Sequence, residues 1–178
     1  GSEGTLGVIS EAKMKISKLP KEYIWTVALF KDFESGAKSI REMVQSGIHA
    51  SITRLSDSTE TKILSLMSNS ESTGLKKMLQ DWFKARLKNQ GYTEPCILMM
   101  RFAIQNDIDK QQPKLAQSFC KANGGKTLPS NVSSTWEENR FALPYLRDTM
   151  VEHRILIDTF ETVTYWNNLQ NLYQSVNK

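Results

Sequence analysis

Long apolar runs are missing from this sequence. Nowhere do about 18 apolar residues follow one another, so no membrane-spanning helix is expected. Cysteine and histidine are scarce. Cys96 and Cys120 stand far apart, one in an apolar run and one on a helical face, and neither belongs to a Cys-x-x-Cys pair. Both read as buried reduced thiols, compatible with a reducing compartment. His49 and His153 have no companions at ligand spacing, so no metal site is expected. No Ser/His/Asp or Cys/His set suggests a nucleophilic enzyme, and no complete catalytic apparatus is visible. A surplus of one charge is absent too: 23 basic and 19 acidic residues leave a scattered +4, which gives a nucleic-acid partner no support. The densest basic run, Lys13, Lys15, Lys18 and Lys21, reads as a solvated strand edge rather than a polyanion site. The opening Gly-Ser-Glu-Gly carries neither a methionine nor a charged-then-apolar leader. The chain therefore reads as a piece of something larger, with Gly1-Ser2 either native or a tag remnant.

What is present suffices for one domain: 178 residues, 39% of them apolar. Gly1, Gly4 and Gly7 mark a turn whose backbone could approach a ligand, although any glycine turn before a strand looks similar. Ile9 to Ile16 alternates crudely and predicts a half-buried strand, ended by Leu19-Pro20. Tyr23 to Phe30 is β-branched and aromatic, a more buried strand. Asp32 can cap a helix with Phe33, Ala37, Ile40 and Val44 on one stripe and Gly47 at its end. Ile48 to Leu55 predicts the next strand. Asp57 and Glu60 have capping-box spacing at the start of a helix with apolar Ile63, Leu64 and Met67. A stronger helix carries Leu75, Met78, Leu79, Trp82, Phe83 and Leu87, a core stripe rather than a cofactor box.

Cys96 to Ile104 is nearly all apolar, interrupted by Arg101, and predicts a central strand. Pro113 fits the first position of a helix bearing Leu115, Ala116, Phe119 and Cys120, closed by Gly124-Gly125. Lys126 to Leu128 is a short strand and Val151 to Glu161 a last one. A closing helix buries Tyr165 or Trp166, Leu169, Leu172, Tyr173 and Val176. The predicted class is α+β: a ferredoxin-like core with a mainly antiparallel sheet and helices packed on one face.

The stretch from Trp136 to Asp148 stands apart. It gathers aromatic anchors, Arg140, Arg147 and Asp148 around Pro144, which blocks helix and pushes Leu143 toward an extended conformation. Such a connector, held by a rigid scaffold, is where binding groups concentrate. Arg147 follows Tyr145 and Leu146, so its planar fork suits a phosphate or carboxylate. A plain surface ion pair with Asp148 or a neighbouring acid is the other reading.

Four separated segments carry a resemblance. Gly-Ser-Glu-Gly-Thr-Leu-Gly-Val-Ile-Ser at 1–10 is similar to the end of the FAD-binding domain in FAD-linked oxidases of the vanillyl-alcohol oxidase type. Arg54-Leu55-Ser56-Asp57, Arg140-Phe-Ala-Leu-Pro-Tyr-Leu-Arg147-Asp148 and Thr159-Phe160-Glu161-Thr162 with Trp166 resemble that family's alkyldihydroxyacetonephosphate synthase branch. The resemblance runs through essentially the whole chain. It implies that residues 1–20 are the end of the FAD-binding domain with a junction strand, and 21–178 the ferredoxin-like cap, or substrate, domain. It implies FAD as cofactor in the full-length parent, with Gly1, Ser2, Gly4, Thr5 and Gly7 beside it. The reaction implied exchanges the acyl group of acyl-dihydroxyacetone phosphate for a fatty alcohol, giving the ether bond of ether lipids without net redox chemistry. Arg54 and Arg147 match active-site arginines of the family, and fixed guanidinium groups suit a dianionic phosphate and a departing carboxylate. Tyr145, Glu161 and Thr162 are further substrate-side candidates, Glu161 and Thr162 with an equal claim to a strand-end structural role.

Departures from the family pattern shape the rest of the expectation. The chain stops before the family's catalytic tyrosine and histidine cluster and lacks nearly all of the FAD-binding domain, so by itself it is expected neither to retain FAD nor to turn over. Its partners would be the missing FAD-binding domain and the two lipid substrates. A homodimer and peripheral membrane contact of the parent are compatible with that reading. A bacterial cytoplasm is the expected location, or a peroxisome-type organelle in a eukaryote. Two rivals remain: the cap of a glycolate- or D-lactate-dehydrogenase-like FAD oxidoreductase, and a free-standing ferredoxin-like binding module.

Overall fold

The computed structural model describes residues 4–68, 85–130, 133, 137, 150–156 and 161–177. Four antiparallel strands form one sheet: β1 (Glu22–Phe30), β2 (Ile52–Ser56), β3 (Cys96–Ile104) and β4 (Lys126–Leu128), ordered β2-β3-β1-β4. With helix α1 (Phe33–Gln45) between β1 and β2 and α3 (Gln112–Ala122) between β3 and β4, this is the ferredoxin-like α+β layout. Helix α2 (Ser58–Ser68) follows β2, and α4 (Leu169–Val176) comes last.

The central strands follow from composition. β1 and β3 pair along nine residues each, from Glu22 opposite Ile104 to Phe30 opposite Cys96. Both are rich in residues that fit a pleated surface buried on two sides. On one face Ala28, Phe30, Leu98, Met100, Phe102 and Ile104 meet Met43 of α1 and Ala116 and Cys120 of α3. Fully burying a side chain such as Phe30 contributes about 1.5–3 kcal/mol relative to exposure. On the other face Val27, Leu29, Ile97 and Met99 are covered by Leu87, with Tyr92 and Leu128 packed against them.

The helices start and stop for local reasons. Asp32 accepts a hydrogen bond from Ser35 N at 2.8 Å, and Asp57 accepts one from Glu60 N at 2.8 Å. Gly47 closes α1 in the left-handed conformation, with Ile48 N donating to Met43 O at 3.0 Å and Gly47 N to Val44 O at 3.1 Å. Gly36 lies so close to the sheet that a Cβ there would sit 2.7 Å from Leu55 Cδ1. The buried residues of α1 are Gly36, Ala37, Ser39 and Met43. Val44, expected in the stripe, is exposed because this small-residue face turns it away.

Other expectations also give way. Ile9 to Ile16 is not a strand: it is irregular, with Met14 and Ile16 exposed, since no described strand pairs with it and no apolar layer faces it. β2 begins at Ile52 rather than Ile48. Ile63 of α2 is exposed, as is Leu115 of α3, where Pro113, Ala116 and Cys120 form the buried stripe instead. Of the last predicted strand, residues 151–156 are not extended and residues 157–160 lie outside the described residues. Residues 150–152 are helical, and Arg154 (φ 61°) closes them, with Ile155 N donating to Met150 O at 2.8 Å and Arg154 N to Val151 O at 2.9 Å. That 6→1 and 5→2 pair satisfies the helix end locally. Helix α4 buries none of its residues. Its Tyr173 stacks on Phe33 at 4.1 Å between ring centroids, and Tyr165 and Val176 are exposed. The stripe expected from Leu75 to Phe83 lies outside the described residues.

Candidate functional site

Register decides which side chains share a face. Residues directly opposite in antiparallel strands point the same way. Arg54 lies opposite Met99, Ile52 opposite Arg101, and Arg101 opposite Trp25. Arg54, Arg101, Trp25 and Tyr23 therefore project from the face not covered by α1 and α3. Arg54 and Arg101 are diagonal neighbours across β2 and β3, a relation that sets Cβ atoms about 7–8 Å apart.

Each arginine meets a carboxylate. Arg54 Nη2 donates to Glu60 Oε1 in the first turn of α2, where the helix N-terminus also favours negative charge. Arg54 is 29% exposed and Glu60 40%. Asp57 therefore caps α2 while Glu60, expected to fold back in a capping box, turns to Arg54 instead. Arg101 Nη1 donates to Glu137 Oε1 at 2.7 Å, and Trp25 Nε1 donates to Glu137 Oε2 at 2.7 Å. The Arg101 guanidinium carbon lies 4.3 Å from the Tyr23 ring centroid and 5.9 Å from that of Trp25, within cation–π range. The face thus carries two guanidinium groups, each paired with an acid.

The remaining sequence candidates are dispersed or undescribed. Arg147 and Tyr145 lie outside the described residues, as do Gly1 and Ser2. Glu161 and Thr162 are exposed in irregular chain ahead of the turn Trp166–Asn168, and neither bonds to Arg54 among the described residues. Gly4, Thr5 and Gly7 lie in an exposed turn and the chain just after it. Gly4 has φ 80°, and a Cβ at Gly4 or Gly7 would meet nothing within 4 Å. Their backbone is exposed and open to close approach. Among the described residues no three His, Cys, Asp or Glu side chains gather as a metal site. No described helix is long and apolar enough to cross a membrane.

Arg101, Glu137 and Trp25 are what the sequence reading missed. One signal was available: a single charge inside nine otherwise apolar strand residues needs a partner, because an unpaired buried guanidinium is costly. Nothing in the spacing identified Glu137 as that partner. The two thiols take no part in this face. Burial, with smaller contributions from Asp57, Asp32 and Glu94, pushes Cys96 up to about 11, and burial pushes Cys120 up to about 12.

Comparison with known proteins places this geometry. Residues 19–178 match the family model described as FAD linked oxidases, C-terminal domain. Alkyldihydroxyacetonephosphate synthase of Trypanosoma brucei brucei is 29% identical over 182 residues, covering 100% of this chain and 29% of the relative. A solved structure of an alkyldihydroxyacetonephosphate synthase superposes with a TM-score of 0.80 at 26% identity, covering 98% of this chain and 32% of the other. D-lactate dehydrogenase [cytochrome] 1, mitochondrial, of Saccharomyces cerevisiae is 37% identical over 73 residues, covering 41% of this chain and 12% of the relative. The chain thus spans less than a third of the length of the synthase it matches. With an antiparallel four-stranded sheet and helices in the synthase arrangement, it belongs to the family of FAD-linked oxidase C-terminal domains.

Proposed function

We propose that this chain is the cap domain of an FAD-dependent enzyme of the alkyldihydroxyacetonephosphate synthase type. The enzyme exchanges the acyl group of acyl-dihydroxyacetone phosphate for a fatty alcohol, releasing the fatty acid. The carrying observation is likeness to the synthases along the whole chain, where the D-lactate dehydrogenases match 80% of it in Arabidopsis thaliana and 41% in yeast. Bound FAD would supply the centre at which the glycerone carbon changes partners, flanked by the backbone at Gly1, Ser2, Gly4, Thr5 and Gly7. Arg54, on the sheet face free of α1 and α3, supplies a fixed guanidinium to the phosphate or to the departing carboxylate. Arg147 is its counterpart from the 136–148 stretch, with Tyr145, Glu161 and Thr162 as lesser contacts. In the full-length protein, acyl-dihydroxyacetone phosphate with a long-chain alcohol should yield the ether product, and D-lactate or glycolate with an electron-accepting dye should yield none. The reverse outcome would replace this reading with the 2-hydroxy-acid oxidoreductase. Arg147→Ala should lower kcat/KM by about 100-fold or more, the roughly 3 kcal/mol expected of a charged donor aimed at developing charge. Activity within twofold of wild type would remove Arg147 from the chemistry.

A further inference from the structure

The two ion pairs on this sheet face are not equally firm. The Arg101 side chain is only 17% exposed, and both oxygens of its partner Glu137 are engaged, one by Arg101 and one by the Trp25 indole. Arg54 and Glu60 both keep contact with solvent, and Glu60 is joined to Arg54 through one oxygen, Oε1. Helix α2 does not need that contact in order to start. Asp57 is its cap, with Oδ1 accepting from Glu60 N at 2.8 Å, so the Glu60 side chain has no capping duty. A Glu60 carboxylate that lets go of Arg54 stays in the first turn of α2, where the helix N-terminus favours negative charge, and gains water. Opening such a pair is therefore easy: exposed ion pairs favour the closed state by about 1.5- to fivefold. Glu60 also presents to the Arg54 fork the same chemistry that an anionic ligand brings, an oxygen bearing negative charge.

We propose that Glu60 is the resident competitor at the Arg54 anion site. Its carboxylate holds the guanidinium until a substrate carboxylate or phosphate displaces it, and returns when the product anion leaves. Glu60 thereby sets anion affinity through Arg54 and touches no reacting atom. This rests on the reading of Arg54 as an anion-binding group.

Steady-state kinetics of the full-length flavoenzyme test it on whichever substrate the wild type consumes, since acyl-dihydroxyacetone phosphate, D-lactate and glycolate are all anions. Inorganic phosphate and hexadecanoate are added as competing anions. Glu60→Gln removes the charge and keeps the shape. Its KM for the anionic substrate should fall by roughly two- to fivefold, the advantage that the closed pair gives up. Ki should fall by a similar factor for phosphate, for hexadecanoate or for both, according to which oxyanion Arg54 receives. Glu60→Asp keeps the charge but is one methylene short of the fork, and it should resemble Glu60→Gln, because competition requires contact. In an Arg54→Ala background, Glu60→Gln should alter KM less than twofold, since the shared partner is gone. A KM for Glu60→Gln that stays within twofold of wild type, or rises, would overturn the proposal, and a fall in melting temperature beside it would leave Glu60 a structural tie. Wild-type KM in Glu60→Asp would overturn it as well, by making Glu60 a distant repulsive charge. Arg54→Ala with KM unchanged would instead defeat the reading of Arg54 itself, and the proposal with it.

Discussion

Replacing Arg54 by alanine should separate stability from activity. Its described ion pair is with Glu60, and both side chains retain solvent contact, at 29% and 40% exposure. Pairs of that kind contribute about 0.2–1 kcal/mol to folding, since water screens the attraction and two long side chains must be ordered. The acid left behind stays in the first turn of α2, where the helix N-terminus favours it, so the loss should remain near the lower end. Catalysis sets a different scale. A charged donor fixed where negative charge develops is worth about 3 kcal/mol, or roughly 150-fold in rate. Arg54→Ala in the full-length enzyme is therefore expected to unfold within about 1 kcal/mol of wild type in urea, while kcat/KM falls by about two orders of magnitude. Arg54→Lys, with a point charge instead of a fork, should recover a minor part of the loss. The assay pair is denaturant titration at constant m-value and initial rates with the phosphate-bearing substrate. A stability loss above about 2 kcal/mol with activity unchanged would refute the assignment and leave Arg54 as a tie between β2 and α2.

Two glycines should respond in opposite ways to alanine. At Gly125 a new Cβ would lie 2.7 Å from Phe30 Cε1 and 2.8 Å from the Cys120 carbonyl oxygen, so backbone must move; about 1–3 kcal/mol of destabilisation is expected by urea titration. At Gly36 the obstacle is the end of the Leu55 side chain, which can turn, and alanine's helix propensity offsets the shift, so the net change should be under about 1 kcal/mol. Cys96 and Cys120, with thiols raised from 9.0 to about 11 and about 12, should resist a thiol reagent at pH 8 until the protein is unfolded. The unfolded chain ionises first, so the stability tied to these thiols is complete below pH 9 and declines as pH rises toward 11–12, which urea midpoints across that range will read.

Much of the architecture could be read from residue type. Cys96–Ile104 is legible to the residue because a nearly continuous apolar run, broken by Arg101 alone and bounded by Pro95 and Gln105, has no other comfortable fate than a central strand. Helix ends were legible where glycine supplies the left-handed residue, as at Gly47 and Gly124. The same closure at Arg154 carries no such mark in the sequence, so Val151 to Glu161 reads as a strand by composition alone. Ile9 to Ile16 misled for a related reason: alternation states which face could be buried, not whether anything lies opposite it. Arg54 was found through a motif, and its face follows only from pairing with β3. Arg101 and Glu137 stayed hidden because a partner 36 residues away leaves no trace in local spacing.

The strand order has a consequence during synthesis. Phe30 waits for Cys96 and Glu22 for Ile104, so a largely apolar strand leaves the ribosome about 70 residues ahead of the strand that shields it. At translation speeds on the order of 5–20 residues per second, that delay lasts several seconds. Throughout it Val27-Ala28-Leu29-Phe30 is an adhesive segment with both edges open. A nascent chain built this way depends on a chaperone, or on early docking of α1 over one side of β1, to reach the sheet without first joining a neighbour.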